Sequence, residues 1–131
     1  MWCESALVGL AAMTERGELY AFEIKEKGDS VVRGIEQCKV YLSGFDRVYL
    51  AGTVKPNRKT LMRIERLGFG YVQVWFEEDA RHARIHALLI APFNHPIPNV
   101  RAHIMAKFQR ARLNKTDKGQ TIQTRFAPLD E

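Results

Sequence analysis

Residues 6–25 read ALVGLAAMTERGELYAFEIK, and how this stretch divides decides the fold. Residues 6–13 form one apolar run and residues 19–25 a second, with Thr14-Glu15-Arg16-Gly17-Glu18 between them as a turn signal. Two β-prone runs around a short Gly-containing turn predict an antiparallel hairpin at the centre of a sheet. Side chains alternate along a strand, so Glu23 and Lys25 share one face while Ile24 points the other way. Ile24 is expected to turn into the core.

Outward from the hairpin, the period changes. Lys27-Gly28-Asp29-Ser30 breaks the second strand, and Asp29 or Ser30 is placed to cap a helix. Val31, Ile35, Cys38 and Leu42 recur at helical spacing, which predicts a helix near 30–43 ended by Gly44. Residues 46–51 read as a short strand stopped by Gly52. Leu61, Ile64 and Leu67 mark a helix over 58–67, and 71–76 with 84–91 read as a further hairpin. Pro92, Pro96 and Pro98 force an extended stretch. A last amphipathic helix is expected over 99–113, around Val100, Ile104, Phe108 and Ala111. The order β-β-α-β-α-β-β-α describes an α/β fold with a mixed central sheet flanked by helices. One domain over 1–113 and a polar tail over 114–131 account for the chain.

The 131 residues carry 46% hydrophobic and 27% charged side chains, which excludes wholesale disorder and leaves little room for a second domain. No run approaches the roughly 18 apolar residues of a membrane span, and the N-terminus lacks a secretory pattern. Two cysteines, Cys3 and Cys38, are too few for a disulfide scaffold, so a cytoplasmic setting is expected. Lys and Arg number 20 against 15 Asp and Glu, an excess that suits a polyanion. The placement of charge is more specific. Lys55, Arg58, Lys59, Arg63 and Arg66 lie in 55–66 against Glu65 alone, and Arg101, Lys107, Arg110, Arg112, Lys115 and Lys118 lie in 101–118 against Asp117 alone. Acids gather early, at Glu4, Glu15, Glu18, Glu23, Glu26 and Asp29. DNA held on cations beside a carboxylate metal site is one use of that arrangement; a charge-mixed, solvated surface is the other. Of the cationic side chains, Arg58, Arg63, Arg66, Lys107 and Arg110 are the expected DNA contacts.

The chemistry is concentrated at Glu23-Ile24-Lys25. A carboxylate and an ammonium at the mouth of an apolar strand are costly unless engaged. They suit a metal ligand beside a cation that orients water or stabilises a phosphorane oxygen. The same three residues also describe a strand-end salt bridge between ordinary surface side chains.

Strand, turn, strand ending in E-x-K, helix, then a D-x-V-Y-L-A strand resembles the PD-(D/E)XK nuclease superfamily, whose fold is restriction-endonuclease-like. The segments that carry the resemblance are ALVGLAAMTERGELYAFEIK, VVRGIEQCKVYLSGFDRVYLAG and RIERLGFGYVQVW, over about residues 4–76. It implies that Glu23 binds a divalent metal, that Lys25 assists the attacking water, and that the Ile24 carbonyl is a backbone ligand. Gln37-Cys38-Lys39-Val40-Tyr41 is Q-x-x-x-Y, similar to a motif of the helicase-associated branch of that superfamily. Residues i and i+4 share a helix face, so Gln37 and Tyr41 are both candidates for the metal site or the DNA, with Lys39 solvated. For Tyr41 an amphipathic place at a helix–sheet seam is an equal alternative.

Two features depart from the family. An acid, usually Asp, is expected on the first strand near Ala6, and the chain has no Asp before Asp29; Glu4 is the candidate substitute. The family also places a helix before that strand, so a partner chain or an N-terminal segment is expected to complete the fold. Other candidates are weaker. His82 and His86 have i, i+4 spacing but fall where a strand is predicted. Cys38 belongs to an apolar helix face, and Cys3 has no evident base.

The expected function is therefore a Mg²⁺- or Mn²⁺-dependent DNA endonuclease, a hydrolase in which Glu23, Lys25, Gln37 and Tyr41 form the catalytic set. Glu23, Ile24 and either Glu4 or the Ala6 position would hold the metal. Ala6, where Asp is expected, keeps open a non-catalytic nucleic-acid-binding or nuclease-partner protein of the same fold. A scaffold without nucleic-acid role is a third class. The basic segments and the resemblance imply DNA as partner, the resemblance alone a homodimer, and the lack of an apolar span no membrane.

Overall fold

Turn chemistry begins the architecture. The computed structural model describes residues 9–25, 31–76, 83–114 and 121–124. Strand β1 (Gly9–Met13) turns into β2 (Leu19–Lys25) through a loop closed by Gly17 N donating to Thr14 O and Thr14 N donating to Glu18 O, both at 2.9 Å. Gly17 takes φ +86 there, a left-handed conformation that a side chain disfavours. Helix α1 (Val31–Tyr41), β3 (Arg47–Gly52), α2 (Arg58–Arg66), β4 (Gly70–Phe76), β5 (Ala83–Leu89) and α3 (Pro98–Asn114) follow as the periodicities predict. A last strand, β6 (Thr121–Thr124), was not expected. It lies in the segment read as a polar tail and pairs antiparallel with β1, Ala12 opposite Thr121 and Gly9 opposite Thr124. Its four residues, Thr-Ile-Gln-Thr, are too short and too polar to announce a strand.

The sheet runs β5-β4-β3-β2-β1-β6. β2, β3 and β4 are parallel neighbours, and the pairs at both ends are antiparallel. The helices carry the crossovers that parallel neighbours require. One cluster joins Ile35, Cys38 and Tyr41 of α1, Ile64 of α2, and Ile104 and Phe108 of α3 to Leu19, Ala21, Val48 and Leu50 of the sheet. Sharing one cluster places all three helices against the same sheet face. The opposite face carries its own cluster around Tyr49, Ala51 and Val72, with Tyr20 and Phe22 packed on it, and no described helix contributes to it.

Burial in β2 alternates, and Leu19, Ala21 and Glu23 are the buried positions. Glu23 therefore lies on the helix-covered face. Ile24 is 40% exposed and points to the other face, which corrects the expectation that it turns into the core. The alternation was right and the assignment of faces inverted: Leu19 and Ala21, four and two residues before Glu23, mark the covered side.

A polar clasp ties α3 to the sheet. Asp46, 2% exposed, accepts from Leu19 N at 2.8 Å and from Arg101 Nε and Nη2 at 2.9 Å each. Arg101 Nη2 also donates to Gly17 O at 2.7 Å. No helix among the described residues is long and apolar enough to cross a membrane.

Candidate active site

Three parallel strands end at one edge of the sheet, and Glu23 and Lys25 lie on the last three residues of β2 there. Their neighbours on β3 are Leu50 and Gly52. Helix α1 covers them. In a helix the Cβ leans toward the N-terminus, so Tyr41, at the C-terminal end of α1, reaches back over the strand. Its hydroxyl donates to Glu23 Oε1 at 2.8 Å. Glu23 is 3% exposed, so its carboxylate is a buried group.

Burial and the nearby Glu23 carboxylate push both the Tyr41 hydroxyl and the Cys38 thiol well above their ordinary pKa ranges. Tyr41 is thus a fixed proton donor to Glu23, and Cys38 an inert core thiol, fully buried, with Sγ 3.9 Å from Tyr49 O. Tyr41→Phe removes one donor from a buried carboxylate and is expected to cost about 1.5–3 kcal/mol, read by urea unfolding against the parent protein.

Lys25 is positioned by an absence. A Cβ built on Gly34 of α1 would lie 2.7 Å from Lys25 Cδ and 2.9 Å from Leu50 Cδ1. The lysine stem therefore runs between sheet and helix through space that only glycine leaves open. Gln37, one turn before Tyr41, has its Oε1 buried with no hydrogen-bond donor among the described residues. A buried acceptor without a donor is uncommon and suits a cation or a bound water. Lys39 is exposed and pairs with Glu36 at 3.1 Å, as its position off that face predicts.

The first strand departs from the expected geometry. The hairpin register sets Gly9 opposite Glu23, so the residue across from the glutamate is a glycine. Glu4 and Ala6 lie outside the described residues. No group of three or more His, Cys, Asp or Glu able to hold a metal occurs among the described residues. Glu23 and the Ile24 backbone lie at this end of β2, and α1, which packs on β2, carries the buried Gln37 Oε1.

The basic segments fare differently. On α2, Arg58, Lys59, Arg63 and Arg66 are exposed, with the helix held inward by Ile64. On α3, Lys107 and Arg110 are exposed, whereas Arg101 is committed to Asp46. His86 is exposed on β5, and His82 lies outside the described residues.

Asp46 and Arg101 escaped sequence reasoning altogether. Their partnership spans 55 residues, and the one available signal was an acid just before an apolar strand. Comparison of the chain with protein-family models, curated proteins and solved structures gives no match. What stands is an α/β chain with a mixed sheet, three helices on one face, and a buried carboxylate beside a lysine at the carboxyl end of the parallel strands.

Proposed function

We propose that the chain is a metal-dependent deoxyribonuclease of restriction-endonuclease-like fold. The observation that carries this reading is Glu23. A carboxylate 3% exposed, bonded by Tyr41 and two residues from a lysine seated against Gly34, is expensive to bury. A divalent cation and a phosphodiester are an economical explanation for keeping it. The order of strand, turn, strand, helix and strand around it supports the superfamily resemblance.

In hydrolysis the water oxygen forms a bond to phosphorus as one P–O ester bond breaks; the water loses a proton and the leaving oxygen gains one. Mg²⁺ or Mn²⁺, when bound, supplies charge neutralisation at the phosphate and a more acidic water. Glu23, the Ile24 carbonyl and Gln37 Oε1 are the residues to hold it. The hydroxyl of Tyr41 fixes the Glu23 carboxylate by donating to Oε1. The Lys25 ammonium orients the water or offsets charge on a phosphate oxygen. Water-proton relaxation with Mn²⁺ tests the ligand: enhancement by the parent protein and its loss in Glu23→Gln are expected, and equal enhancement in both would count against the reading.

Gly34→Ala should leave the helix content unchanged by circular dichroism while shifting Lys25. Cleavage is expected to fall by up to about 10²-fold, the scale of a small misplacement.

Gly9 opposite Glu23 favours the second reading, a binder of nucleic acid that does not cut. That protein would bind DNA in the presence of Mg²⁺ and leave it intact.

A further inference from the structure

The connection from β3 to α2 leaves the sheet at the same edge as Lys25. Gly52 is the register partner of Lys25, one strand spacing away, about 4.8 Å. A Cβ on Gly52 would lie 3.6 Å from Lys25 Cβ and 2.8 Å from the Tyr71 hydroxyl. The residues that follow are exposed but not loose. Tyr71 Oη donates to Val54 O at 2.6 Å, and Gln73 Nε2 donates to Thr53 O at 3.2 Å. Both bonds come from side chains of β4, so the loop backbone is pinned to the sheet while Thr53, Val54 and Lys55 face solvent.

At the loop's far end, Asn57 caps α2 by accepting from Thr60 N at 2.8 Å. The first helical turn holds no acid. Arg58 and Lys59 stand there instead, where the helix dipole already concentrates positive potential and acids are the favoured residues. Among the described residues Lys55, Arg58 and Lys59 have no ion-pair partner, in contrast to Arg47 and Arg101. Three exposed cations with no acid among them make a locally positive surface that suits an anionic partner.

We propose that Thr53–Lys59 is a clamp for the nucleic-acid backbone, in which Lys55 and Arg58 grip phosphates adjoining the bond presented to Lys25. This rests on the nucleic-acid reading above and deepens it: affinity comes from this edge, with the loop preorganised by Tyr71. The clamp recognises phosphate spacing and not base identity.

The test is fluorescence anisotropy with a labelled DNA duplex in EDTA, titrated at several salt concentrations. Lys55→Gln combined with Arg58→Gln should lower affinity on the order of tenfold at low salt and reduce the log–log salt slope by about 1.8, about 0.9 per phosphate contact. Arg16→Gln combined with Lys39→Gln removes the same charge at exposed positions outside this loop, and should leave the slope unchanged. Tyr71→Phe alters no charge and should weaken binding severalfold with the slope retained. If the two double variants lose affinity equally, the effect is net charge and the clamp is overturned. A Tyr71→Phe protein that binds like the parent overturns the pinned loop. A parent protein that binds no DNA at low salt overturns both the clamp and the nuclease reading, whereas binding without cleavage leaves the clamp standing and removes only catalysis.

Discussion

Asp46→Ala is expected to destabilise the protein by about 1–3 kcal/mol, the range for leaving a buried donor without its acceptor, because the Arg101 side chain left behind is 32% exposed. The substitution strips the guanidinium of Arg101 of both its carboxylate contacts and leaves Leu19 N without its acceptor. Three elements loosen together, because the clasp joins the start of β2, the start of β3 and the first turn of α3. The native carboxyl also predicts an acid transition. Burial alone would raise its pKa, but the Arg101 hydrogen bonds, the Leu19 N–H and the charges of Arg101 and Arg47 outweigh that and hold it below the ordinary value of 3.8. A depressed native pKa contributes stability that is present above the unfolded value and is lost as pH falls through the native one. Urea midpoints should therefore drop below about pH 4 in the parent protein, and the Asp46→Ala protein should lack this component. A midpoint unchanged by the substitution at neutral pH would contradict the clasp.

Glu23→Gln and Lys25→Ala are each expected to reduce DNA cleavage by about 10²–10³-fold, the scale of removing one preorganised charge from a transition-state site. The two should differ elsewhere. Glutamine keeps an oxygen for the Tyr41 hydroxyl but gives up the charge a divalent ion needs, so Glu23→Gln should fold normally and lose response to Mn²⁺. Lys25→Ala removes the ammonium and keeps the carboxylate, so ion binding should survive while turnover does not. Single-turnover rates on a labelled duplex, measured across Mn²⁺ concentrations, separate these outcomes. Equal loss of ion response in both variants would argue that Lys25 supports Glu23 and does not act on the water.

Periodicity made most of the fold legible. The stretch LYAFEIK announced β2 over the residues it occupies, and Gly17 marked a turn whose positive φ accounts for the glycine. Val31, Ile35 and Cys38 located α1, although the described helix begins at Val31 and ends at Tyr41. The strand β6 stayed hidden because its pairing with β1 is a backbone ladder, and ladders leave little trace in side-chain type. The candidate site was legible in part. Glu23 stood out as a carboxylate at the end of an apolar strand, Gln37 and Tyr41 through the resemblance of Q-x-x-x-Y, and α1 brings Tyr41 onto Glu23. The seat that Gly34 leaves for Lys25 was not legible, since it depends on how closely α1 approaches β2. Nor was the residue across the hairpin. Register is set by the turn, and a shift of three residues separates Ala6, where family spacing expects an acid, from Gly9, which faces Glu23.

Glu23 and Lys25 are proposed as the working edge of a metal-dependent nuclease. Incubation of the purified chain with supercoiled plasmid, in Mg²⁺, in Mn²⁺ and in EDTA, tests it most directly. The account predicts conversion to nicked or linear DNA with either metal by the parent protein, none in EDTA, and none by Glu23→Gln. Plasmid left supercoiled by the parent protein with both metals, or nicked equally by Glu23→Gln, would contradict it.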